Sequence, residues 1–237
     1  MRPIGFSTGA IAKADFRHAL TCLRMYGITV VELSALRFNE LEPLVQALDN
    51  LDLAGFEFVS FHAPSRFSPH DEDYVVDRLQ SVVARGIPVV VHPDVIFKPA
   101  LWESMGACLL IENMDKRKAV GRTAVALRSL FERFPESRFC FDLGHARQVD
   151  PTMMEARLIL ESLGERLAEV HISEVNTSSR HDPLSEYAMS AFRSVASLVP
   201  EGVPVVLETL IDQGQSDILT EVDRARCALD QTIYANG

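Results

Sequence analysis

The stretch RFCFDLGHARQVD, residues 138–150, sets a short apolar run directly before an aspartate and a nearby histidine. The first part, Arg138–Asp142, lacks a strict alternation of polar and apolar residues, which is typical of a strand buried on both faces of a parallel sheet. His145 follows Asp142 by three residues. Asp150 and Pro151 then suit the N-cap and first turn of a helix. The stretch therefore predicts a strand, two metal-competent residues at its end and a following helix.

Similar apolar runs recur about every 30 residues, which is the length of one βα unit. The predicted strands span residues 4–7, 29–33, 56–62, 88–92, 107–112, 138–142, 167–172 and 203–208. Amphipathic stretches that favour helices cover residues 14–26, 41–51, 73–84, 123–134, 151–163, 191–198 and 217–234. Repeated βα units predict an α/β fold, a (β/α)8 TIM barrel that forms a single domain over residues 1–237. An open doubly wound sheet is the alternative, and the lack of a GxGxxG motif after the first strand argues against it.

The composition restricts the partners that we expect. The 237 residues are 47% hydrophobic and 24% charged, and the formal net charge is −10. This charge repels polyanions unless a basic patch overrides it, so nucleic acid is not expected as a partner. No apolar stretch suits a signal peptide or a membrane span, which predicts a cytoplasmic protein without a membrane partner. The four cysteines are widely spaced and predict neither a disulfide framework nor a thiolate zinc site.

Metal-competent side chains stand at or just after the carboxyl ends of the predicted strands, where TIM barrels build their active sites. The set is His62, His92, Glu112, Asp142, His145, His171, His181 and Glu208. Several carboxylates in one barrel mouth would repel each other, and a divalent cation removes that repulsion. Mixed histidine and carboxylate ligands suit Zn²⁺ or Mn²⁺. A single such residue is more often structural, so the prediction of a Zn or Mn cofactor depends on the whole set.

Three basic residues follow strands at the same end of the predicted barrel. Lys116 begins a Lys-Arg-Lys segment after the fifth predicted strand, and Arg66 and Arg147 follow the third and the sixth. Each is a candidate for binding a phosphate or carboxylate of a substrate. The alternative is that these side chains are solvated loop residues without a function in binding.

The ordered series of motifs resembles the xylose isomerase-like TIM-barrel superfamily, which includes sugar isomerases and epimerases and the apurinic-site endonucleases. The motifs are VSFHAP (59–64), VVVHPD (89–94), LLIENMD (109–115), FCFDLGHA (139–146), AEVHISEVN (168–176), SRHDPL (179–184) and VVLET (205–209). The resemblance covers nearly the whole chain.

The epimerase branch of this superfamily implies one metal held by a quartet of ligands. The matching residues are Glu112, Asp142, His171 and Glu208. The resemblance also implies that Glu112 and Glu208 act as acid and base on opposite faces of a sugar, and that His145 contacts a substrate oxygen. We therefore expect an enzyme, a metal-dependent isomerase or epimerase of a small sugar or sugar phosphate. A homodimer is the assembly that this branch suggests.

The endonuclease branch implies further metal ions. His62 and His92 would join Glu112 at one zinc, and His145 and His181 would belong to a third site. That site needs an Asp-x-His pair, and Ser179 stands here in the place of the aspartate. A zinc-dependent phosphodiesterase related to the apurinic-site endonucleases is therefore the first alternative function. A metal-binding barrel without catalysis is the second.

Overall fold

Parallel strands close into a barrel in the computed structural model, which describes residues 2–211 and 215–230. The strands in chain order are β1 (Ile4–Ser7), β2 (Val30–Ser34), β3 (Phe58–His62), β4 (Val89–Val91), β5 (Leu109–Glu112), β6 (Arg138–Asp142), β7 (Leu167–Ile172), β8 (Glu174–Val175), β9 (His181–Asp182) and β10 (Val205–Leu207). Around the barrel, the hydrogen-bonded order is β1-β10-β7-β6-β5-β4-β3-β2. The short strands β8 and β9 form a separate antiparallel pair. The predicted (β/α)8 TIM barrel is therefore confirmed.

Helices follow the barrel strands along the chain. They are α1 (Thr8–Ala12), α2 (Phe16–Met25), α3 (Phe38–Ala47), α4 (Glu72–Val83), α5 (Pro99–Glu103), α6 (Ala124–Arg133), α7 (Leu143–Val149), α8 (Met154–Leu163), α9 (Glu186–Arg193) and α10 (Gln215–Leu229). Within the described ranges, none of them is long and apolar enough to cross a membrane. The predicted helix over residues 217–234 is confirmed as far as Leu229, and its end at 231–234 lies outside the described residues.

Several predicted boundaries were wrong, most of them by one to three residues, and the helix predicted at 191–198 is α9, which begins and ends five residues earlier. The run 107–112 pairs as a strand only from Leu109, because residues 106–108 form a 3-10 turn. In the runs 88–92 and 203–208, strand pairing stops one residue before the predicted end. His92 and Glu208 therefore lie just beyond β4 and β10. The predicted helix at 151–163 begins only at Met154. Asp150 still bonds the amide of Glu155, at 2.9 Å, across the intervening turn.

A glycine in β1 allows the backbone of the neighbouring strand β2 to approach closely. A Cβ atom added at Gly5 would lie 1.8 Å from the carbonyl oxygen of Val30 on β2. Only glycine fits this position, which is a common reason for a glycine inside a strand. Most residues of the barrel strands are buried, as the continuous apolar runs predicted, and large side chains such as Phe6, Phe61 and Phe139 are fully buried.

A buried glutamate connects the helical layer to the loop after β4. Glu72, the first residue of α4, is 0% exposed. Its Oε1 atom accepts hydrogen bonds from the backbone N–H groups of Phe97 (2.7 Å) and Lys98 (2.9 Å) and from the indole N–H of Trp102 (2.9 Å). Because Trp102 is also fully buried, this carboxylate anchors α5 against α4.

We expect Glu72→Ala to lower the free energy of unfolding by about 3–5 kcal/mol, because three donors lose their acceptor at a cost of roughly 1–3 kcal/mol each when buried. Urea denaturation followed by circular dichroism measures the change. Glu132→Ala, at an exposed glutamate of α6, is the matched control and should stay within about 0.5 kcal/mol of the wild type. Equal effects of the two substitutions would contradict this function of Glu72.

Candidate metal centre

The carboxyl ends of the barrel strands bring most of the predicted ligands together. His62, Glu112 and Asp142 are the last residues of β3, β5 and β6, and His171 lies in β7 directly opposite Asp142 in the strand register. Glu208 follows β10 and its backbone N–H still bonds the carbonyl oxygen of Ile172 at 3.3 Å. The strand ends therefore aim these side chains at one mouth.

Four of these residues form a group with the spacing of a metal site. Glu112, Asp142, His171 and Glu208 each offer a ligand atom, and these atoms all lie within 4.8 Å of one another. His171 Nδ1 lies 3.4 Å from Glu112 Oε1 and 3.6 Å from Glu208 Oε2. Both carboxylate oxygens of Glu112, Asp142 Oδ2 and Glu208 Oε2 are buried, and none has a hydrogen-bond partner within the described residues. Such orphaned oxygens fit a divalent cation.

A second group shares Glu112 with the first. His62, His92 and Glu112 also place ligand atoms within 4.8 Å of one another. Glu112 Oε2 lies 3.4 Å from His62 Nε2 and 3.0 Å from His92 Nε2. His62 Nδ1 donates a hydrogen bond to the carbonyl oxygen of Ala63 at 2.7 Å, which leaves Nε2 facing Glu112. Glu112 thus belongs to both groups of candidate ligands.

His145 and His181 border the two groups. Asp142 Oδ1 caps α7 by accepting a hydrogen bond from the backbone N–H of His145 at 2.6 Å. His181 lies on β9, with Nδ1 2.9 Å from Ser173 Oγ and 3.4 Å from Glu208 Oε2. Ser179 stands in the place of the aspartate of the Asp-x-His pair, and a serine has no carboxylate to offer a third metal site. Its hydroxyl accepts a hydrogen bond from Gln148 Nε2 at 2.8 Å.

Charges in the mouth shift the pKa values of these groups strongly. Burial alone would raise the pKa of Glu112, but the surrounding histidines outweigh burial and hold that pKa well below its usual range. Burial alone would lower the pKa of His62 and His145, but nearby carboxylates raise them to about 9 and about 10. Burial raises the pKa of Glu208 to about 8 and lowers the pKa of His181 to about 4. Without a cation, protons on histidine therefore balance part of the carboxylate charge.

A cavity of about 250 Å³ opens above these groups. Its lining includes His62, His92, His145, His181 and Glu208. Glu112 is only 1% exposed and does not line this cavity, whereas the Glu208 side chain is 12% exposed. Of the two glutamates, Glu208 is therefore the one within reach of a molecule in the mouth.

The structure does not bring the three predicted substrate-binding residues to this cavity. Arg66 and Lys116 are exposed and Arg147 pairs with Glu174 at 3.1 Å, and none of the three lines the mouth. Their function in binding stays a prediction.

The neighbours of Lys116 reach the lining instead. Arg117 and Lys118 line the cavity, but they pair with Asp115 and Asp94, each at 2.6 Å. These ion pairs leave little free positive charge at the rim.

Sequence reasoning missed three residues around the centre. Asn113 follows Glu112 and connects two strand ends, because its side chain donates to the Asp142 carbonyl oxygen (2.9 Å) and accepts from the Asp142 N–H (2.7 Å). Glu32 and Glu169 lie deeper in the barrel, both 0% exposed. The signal for these two was a charged residue inside an apolar run, in VVELS and LAEVHI.

No family model matches the chain, and no curated protein matches it. Solved structures do match. Endonuclease IV from Thermus thermophilus aligns with a TM-score of 0.63 and 19% identity, over 97% of this chain and 99% of that one. A xylose isomerase-like TIM barrel protein from Mycobacterium smegmatis, in complex with magnesium, aligns with a TM-score of 0.60 and 12% identity, over 96% of each chain.

A third similar structure is the 3-keto-D-glucoside 4-epimerase from E. coli in its apo form. It aligns with a TM-score of 0.57 and 14% identity, over 96% of this chain and 99% of that one. At such identities the likeness shows the fold and not the activity. The chain has the fold of the xylose isomerase-like TIM barrels.

Proposed function

We propose that the chain is an enzyme, a metal-dependent isomerase or epimerase that acts on a small sugar or sugar phosphate. The observation that carries this proposal is the convergence of Glu112, Asp142, His171 and Glu208 beneath a small cavity. The donor set of one imidazole and three carboxylates suits Zn²⁺ or Mn²⁺. The solved structures with this fold include an epimerase and a magnesium complex, which supports both parts of the proposal.

The buried carboxylates fit a cation, since several of their oxygens have no partner in the described structure. Glu112, Asp142, His171 and Glu208 would hold it. When bound, the cation would stabilise the negative charge that an enediolate places on neighbouring substrate oxygens.

Glu208 is the residue that we assign to proton transfer. It lines the cavity, so its carboxylate lies within reach of a substrate hydrogen, and before a cation binds burial raises its pKa to about 8. His145 lines the same cavity and would contact a substrate oxygen. Glu112 is enclosed among histidines, so we assign it to metal binding.

The size of the mouth favours a small substrate. Ligand pockets commonly measure about 300–1,000 Å³, and the cavity here is about 250 Å³. The histidine and carboxylate lining offers polar partners to hydroxyl groups, as a sugar requires.

We expect the protein to bind about one or two Zn²⁺ or Mn²⁺ ions per chain, as the two ligand groups that share Glu112 allow. Asp142→Asn should weaken metal binding by at least about 100-fold, because it removes a charged ligand. Asparagine keeps an oxygen that can cap α7, so the helix should persist. Elemental analysis and competition with a chelating dye measure both quantities.

His70→Ala is the control for metal binding, since His70 is exposed and does not line the cavity. This variant should bind metal as the wild type does. Absence of metal in the wild type after metal-replete growth would contradict the proposed site.

Glu208→Gln should slow the exchange of a substrate carbon-bound hydrogen with solvent by about 10²–10⁴-fold, because the base is lost. The measurement is NMR of a panel of aldoses, ketoses and their phosphates in heavy water. Asp182→Asn, at an exposed residue of β9, is the control and should exchange at the wild-type rate. Exchange in Glu208→Gln at the wild-type rate would contradict proton transfer by Glu208. A wild-type protein that binds metal but is inert with every sugar would favour a metal-binding barrel without catalysis.

Phosphodiester hydrolysis is the second candidate, and one observation favours it. His62 and His92 form a further ligand group with Glu112, which a site for one metal does not require. The similarity to endonuclease IV points in the same direction. The small cavity, the paired basic residues at its rim and the net charge of −10 argue against binding a nucleic acid duplex.

We expect the metal-loaded protein to leave a duplex with one abasic site intact, because the mouth offers few free cations for phosphate contacts. Gel electrophoresis of a labelled duplex after incubation with the zinc-loaded and the manganese-loaded protein tests this expectation. A duplex without the abasic site serves as the control. Metal-dependent cleavage confined to the abasic strand would replace the sugar isomerase proposal by the second candidate.

A further inference from the structure

A layer of buried polar residues lies inside the barrel, one step below the ligand quartet. Side chains two residues apart on a strand share a face, so Glu169 enters the barrel below His171 and Glu32 enters below Ser34. The strand register places Glu32 opposite Ser60, and Glu169 opposite Cys140. This layer is separate from the mouth, and neither glutamate lines the cavity.

The two glutamates of this layer are fully buried and only half satisfied. Glu32 Oε1 accepts a hydrogen bond from the Ser34 hydroxyl at 3.2 Å, and Glu169 Oε1 accepts one from the Ser60 hydroxyl at 2.8 Å. The Oε2 atom of each glutamate has no hydrogen-bond partner in the described structure. Buried carboxylate oxygens are costly unless a positive group faces them.

His171 faces both layers with its two ring nitrogens. Nδ1 points to the quartet, 3.4 Å from Glu112 Oε1 and 3.6 Å from Glu208 Oε2. Nε2 points the opposite way, 3.2 Å from Glu32 Oε2 and 3.5 Å from Glu169 Oε1. The ring therefore joins the metal ligands to the buried carboxylates.

Only one arrangement of the ring proton lets His171 bind a metal in this position. A neutral imidazole carries one N–H, and the other nitrogen must keep its lone pair for the metal. With the proton on Nε2, the N–H faces a carboxylate and Nδ1 is free. With the proton on Nδ1, the Nε2 lone pair would face Glu32 Oε2 at 3.2 Å in a buried site, where repulsion is strong.

We propose that Glu32 is a positioning residue that keeps the proton of His171 on Nε2 and so presents Nδ1 to the metal. Glu32 acts more directly than Glu169, because its Oε2 atom lies nearer to Nε2, at 3.2 Å against 3.5 Å, and because Glu169 Oε1 already accepts a hydrogen bond from the Ser60 hydroxyl. Carboxylates bonded to the far nitrogen of a metal-binding histidine fix its tautomer and increase its strength as a ligand. The inference rests on the proposed metal site, and it assigns a function to a residue one layer below the quartet.

The test compares metal affinity in three variants of equal shape. Glu32→Gln should weaken Zn²⁺ binding by about 10–100-fold, and Glu169→Gln should have a smaller effect. Glu72→Gln, at a buried glutamate of the helical layer, should bind Zn²⁺ as the wild type does. Competition with a chelating dye gives the dissociation constants, and circular dichroism shows whether each variant is folded.

A second measurement uses the wild type and does not depend on the folding of a variant. NMR of the zinc-loaded protein with isotope-labelled histidine should show His171 with its proton on Nε2. A proton on Nδ1 would overturn the inference, as would equal Zn²⁺ affinity of Glu32→Gln and the wild type. A wild-type protein that binds no Zn²⁺ would overturn the proposed function itself, so the two failures are distinguishable.

Discussion

The repulsion between buried carboxylates at one end of the barrel is the constraint on which the rest of the structure depends. Five acids crowd into the mouth and the layer beneath it: Glu32, Glu112, Asp142, Glu169 and Glu208. Charges taken out of water are costly unless they are paired. The paired partners within the described residues are histidines, and the high pKa values of His62 and His145 show how strongly the acids attract protons. A divalent cation can replace those protons, because metal binding and proton release are linked.

The barrel and most of the candidate ligands could be predicted from the sequence. Continuous apolar runs identify strands buried on both faces, and the residue that ends such a run marks the active end of a barrel. Asp142 and Glu112 were found in this way, and the structure places both at the ends of their strands. The helices α1 and α7 were not predicted, since each begins directly after its strand without a separating loop.

The residues that the sequence did not predict are those whose place at the site depends on where their side chains point in the folded chain. Glu32 and Glu169 stand within apolar runs that the strand interpretation assigned to the core, and only the register of neighbouring strands brings them below His171. The basic segment after β5 is a second example, because the sequence did not show which of its side chains points into the cavity. The sequence indicated the segment 116–118 as a candidate substrate contact, with Lys116 as its chosen residue, but only Arg117 and Lys118 line the cavity. Loop geometry decides which of these side chains reaches the mouth.

The two carboxylate oxygens of Asp142 have different surroundings, one at the start of a helix and the other at the candidate metal centre. Oδ1 caps α7 through the N–H of His145, while Oδ2 is left without a partner at the quartet among the described residues. The hydrogen bonds of Asn113 hold the same backbone to the end of β5. The Asp142 side chain is thus fixed in place by local hydrogen bonds that need no ion. Small zinc domains fold only when they bind zinc. The candidate centre here is ordered without an ion, so the binding of an ion would cost little entropy for ordering the chain.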